Sequence, residues 1–140
     1  MATSTAQVGP SPAELPSAGS IRTFLLVESA TFLSAAALHF GIFLLGYAHG
    51  AASVAESVIA SVLLGGVLAT WIRPRGVRGI ALAVQGFALL GTFVGLLTIA
   101  IGIGPRTVPD LVIHAIMVLE LVSGLVVAGR ARVDRAGASS

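Results

Sequence analysis

Apolar residues fill the middle of the chain in four long runs, separated by short polar or glycine-rich segments. A helix that crosses a bilayer needs about 20 predominantly apolar residues, because each residue advances the helix by ~1.5 Å. All four runs reach this length. The pattern therefore predicts four transmembrane helices, at residues 23–47, 51–72, 79–103 and 109–129.

The two ends of the chain do not continue this pattern. Residues 1–20 are rich in proline, serine, alanine and glycine, and they contain neither a basic residue nor a long apolar run. Such a segment predicts a disordered tail rather than a signal peptide or a folded unit. Residues 131–140 predict a second disordered tail. We therefore expect an all-α protein in which residues 21–130 form one integral membrane four-helix antiparallel bundle.

Composition agrees with the membrane prediction and adds an orientation. The chain is 56% hydrophobic and 10% charged, with a mean hydropathy of +0.99, which excludes an ordinary soluble domain. All eight basic residues are arginines. Arg106 lies in the loop between the third and fourth predicted helices, and the other seven lie in segments on the opposite side of the membrane. The positive-inside rule then places both termini in the cytoplasm. The same skew explains the pI near 10.5, so we expect the lipid bilayer as the partner and no nucleic acid.

Cysteine is absent from the chain. This excludes disulfides, thiolate metal sites and thiol redox chemistry within the chain itself. Any redox role would need a cofactor, whose identity the sequence leaves unknown, or a partner protein.

Ionisable side chains within the helices form two predicted layers. His39, Glu56 and His114 lie about 7 to 12 Å below the outer boundary, if the predicted helix ends are used. Glu28 and Glu120 lie deeper, with Gln85, towards the cytoplasm. A charge at the centre of a membrane helix costs roughly 2.5 to 3.5 kcal/mol on insertion scales, so these groups are candidate functional residues.

Glu28 and His39 share one face of the first helix. They are eleven residues apart, and at ~100° per residue this separation returns to nearly the same direction after three turns. We therefore predict that both face the bundle interior, with Glu28 protonated or paired.

Several of these residues also have a purely structural interpretation. Ser53 and Glu56 fit the capping-box pattern, in which the carboxylate turns back to the amide of the N-cap residue. Thr107 and Asp110 fit the same pattern at the start of the fourth helix, and for Asp110 capping is the favoured interpretation. His114 lies one turn further on and could pair with the Asp110 carboxylate.

Three further features are interpreted as structural. His49 is expected to be a solvated loop residue, and Gln85 could simply link helices by hydrogen bonds. Gly91 and Gly95 form a GxxxG motif that allows close packing of the third helix.

Residues 55–76, AESVIASVLLGGVLATWIRPRG, resemble the DoxX-like group of small bacterial four-helix membrane proteins. In that group an Ala-Glu pair begins a Leu/Gly-rich helix that ends in an arginine loop. The resemblance implies a subunit of the bacterial cell membrane that works with redox partners, in some members next to quinone. The missing cysteine argues against thiol or sulfur chemistry here. The matching positions are Ala55, Glu56, Leu63, Leu64, Gly65 or Gly66, and Arg73 or Arg75.

Three function classes follow, and the sequence leaves all three open. The favoured class is a redox-associated subunit that binds a quinone-like or other lipophilic molecule, with His39, Glu56 and His114 as polar contacts. The second is a proton-coupled small-molecule transporter that uses Glu28 and Glu120, and as a thin bundle it would need to form a homodimer.

The third class is a membrane enzyme of the isomerase or cyclase type, with a carboxylate and an imidazole as acid and base on a lipophilic substrate. Its candidate residues are Glu28, His39, Glu56, His114 and Glu120. A variant of this class places a metal on the two histidines and Glu56, or a haem between the histidines. No helix has the HxxxH or HxxE spacing that supports a metal, so we predict no metal site.

Overall fold

The computed structural model describes residues 16–43, 47–104 and 106–131 and consists of four long α-helices. They are α1 (Ala18–His39), α2 (Gly50–Ile72), α3 (Val77–Ala100) and α4 (Val108–Arg130), with a short 3-10 turn at Pro74–Gly76 before α3. All four helices are long and apolar enough to cross a membrane. The predicted all-α fold with four spanning helices is therefore confirmed, and the chain is a small multi-pass integral membrane protein.

The helices form an up-and-down bundle. Each helix packs on the next, α4 packs back on α1, and α1 also touches α3 across the centre. The core combines the large side chains of Phe32, Leu63, Met117 and Leu121 with small alanines that let the helices approach closely. Large apolar side chains also cover the outside. Trp71 is 66% exposed and Leu119 is 69% exposed, as expected where the surrounding solvent is lipid.

The two ends of the bundle differ in chemistry. We call the end where α1 and α3 begin the arginine end. There Arg22 links α1 to the last turn of α2. Its Nη2 donates to the Thr70 carbonyl at 2.9 Å, and its guanidinium lies 4.0 Å from the centroid of the Trp71 ring. The other end, where α2 and α4 begin, is called the histidine end below because His39 lies there.

The predicted end of the first helix is wrong by eight residues. The helix ends at His39 instead of continuing to residue 47, because Gly41 takes a left-handed backbone conformation with φ of 76°. The amides of Gly41 and Ile42 donate to the carbonyls of Leu38 and Ala37, which is the Schellman pattern of helix termination. His39 is therefore in the last turn of α1 rather than deep within a longer helix.

A Schellman pattern also ends α3, three residues before the predicted position. Gly102 has a φ of 86°, and the amides of Gly102 and Ile103 donate to the carbonyls of Ile99 and Thr98. Arg106 adds two hydrogen bonds to the same end, since its Nε donates to the Ile99 carbonyl at 2.7 Å and its Nη2 to the Ala100 carbonyl at 2.5 Å. The lone arginine of the histidine end thus caps a helix.

Most of the two predicted tails, residues 1–15 and 132–140, lies outside the described residues. The start of α1 is described and differs from the prediction. The helix begins at Ala18, inside the segment 1–20 assigned to the tail, because the Ser17 hydroxyl accepts the Ser20 amide as an N-cap at 3.2 Å.

Candidate functional site

His39 lies between two carboxylates that come from two other helices. Its Nδ1 is 2.7 Å from Glu56 Oε2 on α2, and its Nε2 is 3.0 Å from Asp110 Oδ1 on α4. His39 and Asp110 are fully buried, and Glu56 is 5% exposed. Both ring nitrogens of His39 are therefore occupied by carboxylates. We call Glu56, His39 and Asp110 the acid–base chain.

Asp110 has a second role in the capping box at the start of α4, in which Thr107 is the N-cap. Its Oδ2 accepts the Thr107 amide at 3.0 Å, while the Thr107 hydroxyl accepts the Asp110 amide, so the predicted capping box is present. The prediction that capping alone explains Asp110 is incomplete, since Oδ1 also contacts His39. Sequence reasoning left Asp110 out of the site.

Glu56 does not form the capping box predicted with Ser53. The N-cap of α2 is His49, four residues earlier, and the Ser53 amide donates to the His49 carbonyl within the helix. The carboxylate of Glu56 turns instead to His39. The helix begins too early for Ser53 to act as its cap, which leaves Glu56 free for the interior.

The connection between α1 and α2 folds back over His39. Tyr47 stacks on the His39 ring with centroids 5.9 Å apart. The His49 ring packs against both of these rings in a T-shaped arrangement. The Tyr47 hydroxyl is 2.6 Å from the Thr107 hydroxyl, which links this loop to the cap of α4. Burial and then the neighbouring Asp110 carboxylate raise the pKa of Tyr47. His49, predicted as a solvated loop residue, is half-buried against this cluster.

His114 is buried on α4, and its Nδ1 is 2.8 Å from the backbone carbonyl of Asp110. The predicted pairing with the Asp110 carboxylate does not occur. Within the described residues, its Nε2 has no hydrogen-bond partner. A Cβ atom added to Gly95 would lie 3.0 Å from this nitrogen, so the missing side chain of Gly95 keeps it accessible.

A cavity of about 450 Å³ lies in the histidine half of the bundle, mainly between α2 and α3. His39, Glu56 and His114, predicted as one polar layer, all line it. The rest of its inner wall is mostly apolar. The apolar lining includes Phe32, Ala55, Ile59, Val94, Ile99 and Met117.

Small residues on the facing helices make room for the cavity. Gly91 and Gly95 line it from α3, opposite Ala52 and Ala55 on α2. A Cβ on Gly91 would lie 2.7 Å from Ile59 Cδ1, so Gly91 also permits close helix packing as predicted. The GxxxG motif thus serves both the packing of α3 and the shape of the cavity.

One polar atom at the cavity is buried without a hydrogen-bond partner among the described residues. This atom is Glu56 Oε1, the carboxylate oxygen that does not face His39. A buried acceptor without a partner costs about 1–3 kcal/mol. Since Glu56 lines the cavity, a bound molecule could supply the missing donor.

The second predicted layer forms a separate cluster nearer the arginine end. Gln85 Nε2 donates to both oxygens of Glu28, at 2.8 and 3.1 Å. Glu28 and Gln85 are fully buried. Since His39 is also fully buried, Glu28 and His39 both face the interior as predicted. Glu120 is half-buried, and neither Glu28 nor Glu120 lines the cavity. The two layers are therefore distinct sites.

No group of three or more His, Cys, Asp or Glu side chains suited to a metal occurs in the part of the chain that is described. The hydrogen bonds of His39 explain why this residue is not available as a metal ligand. Both of its nitrogens already face carboxylates, so neither offers a lone pair to a metal or haem in this arrangement.

The chain has no significant match among protein-family models, curated proteins or solved structures. The DoxX-like resemblance of residues 55–76 therefore stays a prediction that depends on the sequence of α2.

Proposed function

We propose that this small membrane protein binds a lipophilic, quinone-like molecule in the cavity between α2 and α3. The observation that supports the proposal is an apolar cavity whose polar end presents Glu56 and His114, where Glu56 Oε1 has no hydrogen-bond partner in the described part of the chain. Binding sites for small molecules typically combine such an apolar wall with a few placed polar groups. A volume of about 450 Å³ lies within the usual range for such sites.

The DoxX-like resemblance supports a narrower form of the proposal. In that form the protein is a redox-associated subunit of the bacterial cell membrane, with both termini cytoplasmic. Because the chain has no cysteine, electrons would have to come from a partner membrane or redox protein. The role of this chain would then be to hold the lipophilic molecule.

Ligand binding can be tested with the protein in phosphatidylcholine nanodiscs. Decylubiquinone and its reduced form, decylubiquinol, are measured by equilibrium dialysis under anaerobic conditions, with empty nanodiscs as the reference. We expect saturable binding with one site per chain. Ala55→Phe should abolish it by filling the cavity, whereas Val58→Phe, on the lipid-facing side of α2, should not. If neither form binds above the empty discs, the proposal is wrong.

A second candidate is acid–base catalysis on a lipophilic substrate. It is favoured by the acid–base chain, which places an imidazole and two carboxylates in contact at the edge of the cavity. Such pairs transfer protons to and from reacting groups. Incubation with bacterial lipid extract, followed by mass spectrometry, should then reveal a product that Glu56→Gln fails to form.

The proton-coupled transporter has less support. Its carboxylates, Glu28 and Glu120, lie outside the cavity, and Glu28 is enclosed by Gln85.

A further inference from the structure

We call the part of the lining formed by Glu56 and His114 the cavity floor. Whether it donates or accepts hydrogen bonds depends on where the protons of the acid–base chain lie. Asp110 Oδ2 already accepts the Thr107 amide, so the carboxylate serves as an acceptor, and its Oδ1 accepts a hydrogen bond from the N–H at His39 Nε2. The contact between His39 Nδ1 and Glu56 Oε2 then contains one proton, on the nitrogen or on the oxygen. When the pair holds only this one proton, Glu56 Oε1 carries none and can only accept.

His114 presents a second acceptor to the same floor. The Asp110 carbonyl can only accept, so His114 Nδ1 carries the proton of that hydrogen bond. In a neutral imidazole, Nε2 then keeps its lone pair. Gly95 leaves this nitrogen uncovered, as described above.

The two threonine hydroxyls that line the cavity are already in use, and the imidazole of His49 is the other side-chain donor of the lining. The Thr92 hydroxyl donates to the Ala88 carbonyl at 2.9 Å, and the Thr98 hydroxyl donates to the Gly95 carbonyl at 2.7 Å. Backbone amides without an intrahelical acceptor occur in the first turn of α2, at residues 50–52. Residues 50–52 also line the cavity, and their amides lie about 6 to 9 Å along the helix from Glu56.

We infer that the cavity selects a lipophilic molecule whose head group donates hydrogen bonds. A hydroxyl, as in a quinol or phenol, or an ammonium group meets this requirement. A quinone carbonyl only accepts and would leave both Glu56 Oε1 and His114 Nε2 without a donor. This inference rests on the proposed binding function and specifies the ligand class for the same cavity.

The test compares decylubiquinol with decylubiquinone, which share a tail and differ in whether the head group carries hydroxyls or carbonyls. We expect the quinol to bind the wild-type protein in nanodiscs at least about tenfold more tightly, because its hydroxyls can donate to these acceptors and the quinone carbonyls cannot. Glu56→Gln introduces an amide donor in place of the carboxylate, so the preference should fall severalfold. Ser61→Ala, on the exposed face of α2, is the matched control and should keep it.

A competition arm distinguishes the two donor classes. Decanol and decylamine share a tail, and each is used to displace decylubiquinol. Stronger displacement by decanol assigns a hydroxyl head group, and stronger displacement by decylamine assigns an ammonium.

The outcomes separate the two proposals. Saturable binding with equal affinity for quinol and quinone, or with tighter binding of the quinone, would overturn the donor inference and leave ligand binding intact. Absence of binding by every probe would overturn both. If Glu56→Gln does not fold, the wild-type ratio of the two affinities decides alone.

Discussion

Asp110 Oδ1 lies 3.0 Å from His39 Nε2 although 71 residues separate them in the chain. The other oxygen of the same carboxylate closes the capping box of α4 through the Thr107 amide. One side chain thus starts a helix and fixes the ring orientation of the histidine beside the cavity. This double role makes Asp110 the most informative position for a stability test.

Replacement of Asp110 by alanine should destabilise the fold strongly. The change removes the carboxylate half of the capping box of α4 and leaves His39 without one of its two partners, and breaking a buried charged pair costs about 3–5 kcal/mol. Asp110→Asn keeps an oxygen that can accept the Thr107 amide and should lose clearly less. The free energy of unfolding can be measured in mixed micelles by circular dichroism. Ser123→Ala on α4 is the control, and an Asp110→Ala protein as stable as this control would contradict the prediction.

Gly124 is predicted to tolerate no side chain. A Cβ there would collide with both Gln85 and Glu28, which have no room to move apart because they are fully buried and hydrogen-bonded. Gly124→Ala should therefore cost about 1–3 kcal/mol through overpacking. Gly129→Ala, five residues further along α4, meets nothing within 4 Å and should be close to neutral. Equal unfolding free energies for the two variants would show that the Glu28 cluster is not packed as described.

The Glu28–Gln85 pair should depend on hydrogen bonding more than on charge. Glu28→Gln keeps an oxygen that accepts from Gln85 Nε2 and should change the unfolding free energy little. Glu28→Ala leaves that amide buried and unpaired, which costs about 1–3 kcal/mol, and adds the cost of a cavity. Ser34→Ala on the exposed face of α1 serves as the control. A Glu28→Gln protein as unstable as Glu28→Ala would show that the negative charge itself is required.

The predicted topology can be tested with reporter fusions. A fusion after residue 49 lies at the histidine end, whereas α4 ends at Arg130 at the opposite end. Alkaline phosphatase should therefore be active after residue 49, and green fluorescent protein should be fluorescent after residue 135. If both positions report the same side, the orientation is wrong.

The sequence was sufficient for the number of helices, because four apolar runs of membrane length have few alternative folds. The sequence was not sufficient to predict the residue at which α1 ends. The residues after His39 are as apolar as those before it, so hydropathy continued the helix to residue 47. The signal that could have found the end is Gly41 followed by Ile42, and the same Gly-Ile pair ends α3 at Gly102 and Ile103.

Part of the candidate site was also predictable. Helical periodicity correctly placed Glu28 and His39 inside the bundle, since a single helix determines which residues share a face. It could not show that Asp110 reaches His39, because that contact depends on the packing of α1 against α4. Tyr47 was missed for a related reason, since its place over His39 follows from the early end of α1.

Gly95 provides the sharpest test of the cavity floor. A methyl group at this position would lie 3.0 Å from His114 Nε2 and would cover the lone pair that we assign to ligand binding. Gly95→Ala should therefore weaken decylubiquinol binding severalfold to about tenfold, the loss expected for one hydrogen bond. Gly86→Ala, on the same helix with nothing within 4 Å of its added Cβ, controls for the general effect of alanine in α3. If both variants bind decylubiquinol as the wild type does, His114 does not contact the ligand and Glu56 alone would form the polar end of the site.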